Sequence, residues 1–525
     1  MKKFWLILLI ACISNVLFCG CTSIGCSSCG KSDSDKIPAV TCRIFPDKTT
    51  VKVYQREAGE YPCQPLFKYV DVINQAINYK QAEPEKEVVL NFAMYDLSLT
   101  TLFYFDQNDE KYGEITSTAI EGRTENIVES LVRLAKNNIT VNFVAHSDVS
   151  AEINTHKNEL CNDGIGKVSD YLNYRYITWG SKSEQQMHCK FLTVNKIKND
   201  AGKTVSNVVY VASSNIDGLE NDAFKPAQDR NQDGMLLTGN VGLYEAFNKY
   251  HAIIFANNEN QAKFQEDVRA AHKGGLDYSG KYIRTQFSPV QSVEEYDSFY
   301  YNQTYADGNK ETAWDTDNNM FAKYLDEMAA SDVGPRMFYA NMYHYKTAGN
   351  DLMGWKVFKT LKKLYFGPSY APAYLNGNGL PDTDDHYDLE AQAADQAAIT
   401  AGTLRPDAES PLTMKWIVET STNAKHRFGS DAGFLSGLKM ISDGNALYYK
   451  VDHKLRTHCK EMLMSYKLNG RQKYVTICGS CNLKMDGCHD KGNASVAFIE
   501  DEKNHQIFDA YKSFIDRLMD EYSEK

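Results

Sequence analysis

The sequence predicts an α/β protein made of two similar halves, each a sandwich of helices on a mixed sheet. Three observations predict it. Two short words recur: His188-Cys189-Lys190 leading to Ala212-Ser213-Ser214-Asn215, and His458-Cys459-Lys460 leading to Gly479-Ser480-Cys481-Asn482. An apolar stretch joins the two words of each half, with 27 residues from His188 to Asn215 and 24 from His458 to Asn482. The 525 residues suffice for two to three domains, and a chain with 43% apolar and 24% charged residues has the composition of a folded, soluble protein.

The elements follow in the same order in each half. Val88 to Tyr95 reads as a strand, and Ile127, Val128, Leu131 and Leu134 fall at helical spacing within Glu125 to Lys136. Val141 to Ala145 is the next buried strand. In the second half Met337 to Tyr343 parallels the first strand, Val357, Phe358, Leu361 and Leu364 stripe a helix, and Met414 to Val418 takes the place of the next strand. Each half therefore runs strand, helix, strand, His-x-Lys strand, Ser-x-Asn strand, helix. Two segments fit no core. Asp277 to Asn319 is rich in Tyr, Asp and Asn and is expected to contain the crossing between domains; Gly367 to Pro411 is expected to be an insertion in the second half, its alanine-rich run a short helix. The expected division is residues 40–275 for the first domain and 320–525 for the second, with the insertion at about 367–411.

A lone His-x-Lys says little, because this composition yields roughly one by accident. Two more occur, at His344/Lys346 and His489/Lys491, and neither is the His-x-Lys paired with one of the two Gly/Ala-Ser-x-Asn words. The pairing of words carries the chemistry. A phosphodiester is cleaved in two easier steps if one neutral imidazole attacks phosphorus and a second imidazolium protonates the leaving oxygen, then activates the incoming water or alcohol. Lysine and Ser/Asn donors aimed at the non-bridging oxygens stabilise the charge that moves through the transferring group. Taken singly, the groups have ordinary explanations as core histidines, surface lysines and turn asparagines. The conjunction favours a duplicated phosphoryl-transfer site.

At these words the sequence resembles the phospholipase D superfamily, whose signature is His-x-Lys, four residues, Asp, then Gly-Ser-x-Asn. The resemblance implies two α/β domains related by a pseudo-twofold axis with one site between them. It implies His188, Lys190 and Asn215 meeting His458, Lys460 and Asn482 as the catalytic set, and Ser213, Ser480 and Asn231 as substrate-binding residues. It also implies a phosphohistidine intermediate, no metal and no cofactor. The signature aspartate is missing, since Asn195 and Ser465 stand four residues past each lysine. Its loss also occurs in divergent members such as the tyrosyl-DNA phosphodiesterases. A further family element, an Asn-x-Glu-like word, matches Asn231-Gln232-Asp233 and, more poorly, Asn493-Ala494-Ser495.

The first residues have the character of an export signal: Lys2 and Lys3, a run from Phe4 to Phe18 that is apolar but for Ser14 and Asn15, then small residues at Gly20 to Ser23. Phe18-Cys19-Gly20-Cys21 also fits a loose lipobox with Cys21 as the lipidated residue, and a plain secretory signal is the alternative. Either places the protein outside the cytoplasm, where some of its thirteen cysteines can pair. Cys478-x-x-Cys481 with Cys488 and His489 can be drawn as a zinc site, but packing or a disulfide is the favoured reading. Cys189 and Cys459 are expected to point away from their neighbours by strand alternation, as small buried residues. The net charge of −11 gives no basic footprint for general nucleic-acid binding.

Three classes of function stand. The first is a metal-independent phosphodiesterase acting on phospholipid, with contact to a membrane surface, as a monomer with an internal pseudo-dimer. The second is a secreted nuclease or exonuclease with the same site, and the third is a catalytically weak surface-binding protein that keeps the fold.

Overall fold

Asn469 and Gly470, at φ of 51° and 77°, form the two-residue turn that antiparallel strands favour, and the flanking Leu468 and Arg471 are register partners. This hairpin joins the strands that carry the second His-x-Lys and Ser-x-Asn words. The computed structural model describes residues 40–57, 64–104, 115–116, 124–180, 186–217, 230–290, 319–343, 352–370, 389–418, 441–442, 446–448, 457–483, 488 and 491–522. The leader with Cys21, the His344/Lys346 pair and His489 lie outside the described residues.

The first half contains β1 (Thr41–Ile44), β2 (Thr50–Arg56), α1 (Gln64–Ala82), β3 (Val89–Met94), and a small sheet of β4 (Leu102–Tyr104), β5 (Ile115–Thr116) and β6 (Thr124–Glu125). It continues with α2 (Ile127–Lys136), β7 (Thr140–Ala145), α3 (Ser150–His156), α4 (Val168–Tyr171), β8 (Leu172–Tyr176), β9 (Lys190–Lys198), β10 (Thr204–Ala212), β11 (Gln232–Thr238), α5 (Val241–Ala256) and α6 (Gln261–Lys273). The second half contains β12 (Ile283–Phe287), α7 (Met320–Ala329), β13 (Arg336–Met342), α8 (Leu352–Phe366), α9 (Leu389–Thr400) and β14 (Leu412–Val418). It ends with β15 (Ala446–Tyr448), β16 (Lys460–Leu468), β17 (Arg471–Gly479), β18 (Ala494–Asp501) and α10 (Gln506–Tyr522).

The repeat predicted from the words is a repeat of topology. The first sheet runs β1-β2-β11-β10-β9-β3-β7-β8 and the second β12-β18-β17-β16-β13-β14-β15. Matched in order, β11 corresponds to β18, β10 to β17, β9 to β16, β3 to β13, β7 to β14 and β8 to β15. In each half the last three of these pair in parallel and the others antiparallel, which makes both sheets mixed. The α/β fold with two similar halves is thus present, and sequence periodicity had found its central strands and helices to within two or three residues. It had not found β8, β15, β11 or β18.

The helix read from Glu125 begins at Ile127, because Asn126 caps it: its side chain accepts from Glu129 N while Glu129 returns a bond to Asn126 N. The expectation that Asp277 to Asn319 fits no core is corrected. Ile283 and Phe287 are fully buried, and β12 pairs with β18 along its length. Its Ile-Arg-Thr-Gln-Phe sequence sets three polar residues between two apolar ones, with no alternation to register as a strand. The insertion also contributes packing, since α9 delivers Asp395 to a buried ion pair with Lys362 on α8.

Three apolar cores alternate with the two sheets. One lies between α1, α2 and the first sheet, and another between α7, α8 and the second. The third is shared: Cys189, Phe191, Val209 and Met235 from the first sheet pack with Cys459, Leu463, Cys478 and Val496 from the second, closed by α5, α6 and α10. Burial of this apolar surface is the main force holding the halves together, at about 25 cal/mol per Å². Among the described residues no helix is long and apolar enough to cross a membrane.

Candidate active site

Each His-x-Lys word sits where a strand begins. Lys190 opens β9 and Lys460 opens β16, so each histidine lies just before a central strand, held by backbone on both sides. Tyr95 N donates to Cys189 O at 2.9 Å, and Tyr343 N donates to Cys459 O at 2.8 Å. The other contact crosses between the halves. His188 N donates to Gly492 O at 2.7 Å, and His458 N donates to Asn231 O at 2.9 Å. Each half supplies the carbonyl that fixes the other half's histidine.

The side chains repeat the pattern. Lys190 Nζ returns to His188 O at 2.9 Å, and Lys460 Nζ makes the same bond to His458 O. Each ammonium also stands 4.9 Å from a tyrosine ring centroid, Lys190 over Tyr95 and Lys460 over Tyr343. Those rings flank the imidazoles, with centroids 4.8 Å apart for Tyr95 and His188 and 4.7 Å for Tyr343 and His458. Two tyrosines at the ends of β3 and β13 therefore belong to the site. In the sequence both are legible only as strand residues.

Ser213 and Ser480 act as staples inside their own sheets. Ser213 Oγ donates to Gln232 Oε1 and Ser480 Oγ to Asn493 Oδ1, while the main-chain N–H groups of both serines bond into β11 and β18. These bonds fix the register between the repeats: Gln232 corresponds to Asn493, Asn231 to Gly492, and Arg230 to Lys491. Asn231 thus stands at the site through its carbonyl, and Gln232 holds the place that Asn493 holds in the second half. Asn493 Oδ1 is 2.9 Å from His188 Nδ1, which also lies 2.9 Å from Ser480 O. The register could be read in the sequence only by counting backward from the strand after each Ser-x-Asn, and that strand had not been recognised.

Asn215 and Asn482 are buried directly after their serine words. Gly479 and Ala212, the first residues of those words, differ for a steric reason. Gly479 has a φ of 140°, and a Cβ there would meet Ala494 O at 2.4 Å. The missing aspartates leave no gap. Asn195 bonds to the backbone at Val89 and Glu87, and Ser465 accepts from Gln472, so both help tie neighbouring strands together.

The electrostatics join the halves. Burial pushes the His188 pKa well below its ordinary value, and the charges of Lys190, Lys460 and Lys491 lower it further. His458 is lowered for the same reasons by burial, then Lys460, Lys190 and Arg230. Both lysines act on both histidines, which places the two imidazoles in one electrostatic neighbourhood. Arg230 and Lys491, equivalent in the repeat, add one further cation on each side. In the sequence Lys491 belongs to the unpaired His489/Lys491 word, and its place two residues before Asn493 is the signal that identifies it.

The middle cysteines are not nucleophiles for this pocket. Cys189 and Cys459 point into the shared core; burial raises the Cys189 thiol to about 12 and holds that of Cys459 well above the usual range. The drawn zinc site does not form either. Cys478 lies in the shared core, 3.6 Å from Met235 Sδ, whereas Cys481 and Cys488 lie in the outer core of the second half. Among the described residues, Asp233, Cys459 and Glu461 are the one group of donors within 4.8 Å of one another. Burial raises both carboxyl pKa values, that of Asp233 to about 6 and that of Glu461 well above its usual range, and the cluster belongs to the shared layer.

No family model matches the sequence, and no curated protein matches it. Solved structures do. Phosphatidylserine synthase from Haemophilus influenzae Rd KW20 matches 92% of this chain and 88% of its own, at 9% identity and a TM-score of 0.40. Yeast tyrosyl-DNA phosphodiesterase matches over 78% and 82%, at 9% identity and a TM-score of 0.34. Polyphosphate kinase from Porphyromonas gingivalis matches 90% of this chain, which spans half of the kinase's length, at 9% identity and a TM-score of 0.33. These are likenesses of architecture, and the chemistry is read from the site. In its doubled motif and its paired mixed sheets, the chain resembles the phospholipase D superfamily.

Proposed function

We propose that the protein is a phosphodiesterase of phospholipase D type, acting through a phosphohistidine and taking phospholipid as substrate. One observation carries the reading: the crosswise bonds from His188 N to Gly492 O and from His458 N to Asn231 O, which draw both His-x-Lys words to a single place. His188 is the proposed nucleophile. Its Nδ1 faces the carbonyl of Ser480, so the ring proton resides there and the Nε2 lone pair is left for attack on phosphorus. In the first step Nε2 bonds to phosphorus as the bond to the leaving oxygen breaks, and the imidazolium of His458 gives that oxygen its proton. In the second step neutral His458 takes a proton from water, the new oxygen bonds to phosphorus, and the bond to His188 breaks. Lys190 and Lys460, with Asn215 and Asn482, bind the non-bridging oxygens.

The low histidine pKa values suit this sequence. His188 is neutral and ready at neutral pH, and His458 gains its proton when the diester anion arrives to offset the lysine charges. Because imidazoles supply both nucleophile and acid, activity is expected to persist in chelator. The leader, if it directs export or lipidation at Cys21, brings the site to a membrane surface. The test is hydrolysis by the purified protein, with chelator, of phosphatidylcholine and phosphatidylethanolamine vesicles and of single-stranded DNA. Release of headgroup supports the proposal. Cleavage of DNA alone would replace it with the nuclease reading, and inactivity on both, with binding, with the surface-binding one.

A further inference from the structure

We propose that Cys481 and Cys488 form a disulfide bond that braces the second Ser-x-Asn loop. The two sulfurs lie 3.4 Å apart, both buried at 2% exposure or less. A disulfide places them at about 2.05 Å, so closure requires a shift of about 1.4 Å shared by two side chains. The place is specific to one half. Cys481 is the variable residue between Ser480 and Asn482, and its counterpart in the first half is Ser214.

The surrounding backbone is tied to neighbouring segments by hydrogen bonds. Gly479 takes a conformation closed to other residues, Ser480 N donates to Ala494 O at 3.0 Å, and Val290 N donates to Cys488 O at 3.0 Å. Leu483 packs with both cysteines in the outer core. Asn482 lies on the short path between the two sulfurs, so a bond across residues 481 and 488 restricts the segment that presents it. Cys478, the nearest other thiol in sequence, faces the opposite side of the sheet in the shared core and does not compete.

The step needs a two-electron oxidant, and a low-molecular-weight disulfide of an oxidising compartment supplies it. The thiolate of one cysteine attacks that disulfide, its S–S bond breaks, and one small thiolate leaves. The thiolate of the other cysteine then attacks the mixed disulfide and releases the second small thiolate. Two protein thiols are oxidised, one disulfide is reduced, and the two protons end on the two released thiols. Burial of both sulfurs means that the exchange occurs as the chain folds, and that the finished bond is shielded from reductant.

The experiment uses the full chain, produced in an oxidising compartment, unfolded with iodoacetamide but without reductant, then digested and mapped by mass spectrometry. The expected result is a cross-linked pair of peptides containing Cys481 and Cys488, lost on reduction, with Cys189, Cys459 and Cys478 alkylated. Full alkylation of both cysteines, or linkage of either to another partner, overturns the proposal. Cys488→Ser should expose Cys481 to alkylation. Wild type should lose roughly 2–4 °C of Tm on reduction while the variant does not respond, and an equal response in both would remove the bracing role. The mass readout is independent of activity. An effect of reduction on turnover would rest in addition on the phosphodiesterase reading.

Discussion

The imidazole Nδ1 of His188 lies 2.9 Å from the main-chain carbonyl oxygen of Ser480, a residue of the other half. A carbonyl oxygen can only accept, so Nδ1 is the donor and the tautomer of neutral His188 is set by a fold contact. In the proposed mechanism this contact leaves Nε2 of His188 for attack on phosphorus. His458→Ala is expected to lower turnover by about 10²–10⁴-fold and to let phosphohistidine collect on His188 when the substrate has a good leaving group. His188→Ala should form no phosphoenzyme. Base-stable, acid-labile label found on His458 in the His188→Ala protein would reverse the assignment.

The pH profile should respond differently to the two outer cations. His188 must be neutral, and its pKa lies well below 6.5, so the acid limb of kcat/KM is expected below that pH. Lys491→Met removes a charge that depresses His188, raising its pKa and moving the acid limb upward by several tenths of a pH unit to about one. Arg230→Met raises the pKa of His458 instead, which must be protonated, so the alkaline limb moves upward. Movement of the same limb in both variants would contradict separate roles for the two histidines.

Asp233 and Glu461 should make the protein less stable as pH rises. Both are fully buried, and Asp233 Oδ1 and Glu461 Oε1 have no hydrogen-bond partner among the described residues. Their folded pKa values are raised by burial above the unfolded values, so their stabilising protonation is complete below about pH 4 and is lost as pH climbs through the folded values. Asp233→Asn can still accept from Tyr511. The variant should gain about 1–3 kcal/mol over wild type at pH 8 and much less at pH 4.5, measured by urea unfolding. An equal difference at the two pH values would mean that ionisation is not the cause.

Gly479→Ala should be far more harmful than Ala212→Gly. The first puts a Cβ 2.4 Å from Ala494 O at a φ of 140°, a strain of about 1–3 kcal/mol before any shift of Asn482. The second costs about 0.5–1 kcal/mol through backbone entropy. Comparison of unfolding midpoints checks the stability ranking, and kcat with KM retained in Gly479→Ala would show that Asn482 tolerates the displacement.

The two words were legible because they combine rare chemistry with a repeat, and the central strands because Val141 to Ala145 and Met414 to Val418 are apolar but for Asn142 and Lys415. Tyr95, Tyr343, Arg230 and Lys491 were not. Tyrosine at a strand end is common, and nothing local says that two such ends face one pocket. The equivalence of Gln232 with Asn493 needed the register of β11 against β10 and of β18 against β17, which depends on pairing between strands rather than on the sequence of either. The short β12 was hidden by polar neighbours, although its pairing with β18 and the burial of Ile283 and Phe287 make it part of the second sheet.

The near-symmetry of the halves is broken at several matched places, among them Phe191 against Glu461, Asp233 against Ala494, Arg230 against Lys491, and Ala212 against Gly479. Two identical chains meeting across the same axis could not do this, because every residue would have to serve both histidines equally. A tandem chain is released from that obligation. Each copy is free to drift on its own side of the axis, and two imidazoles that begin as equals acquire different surroundings and a division of labour.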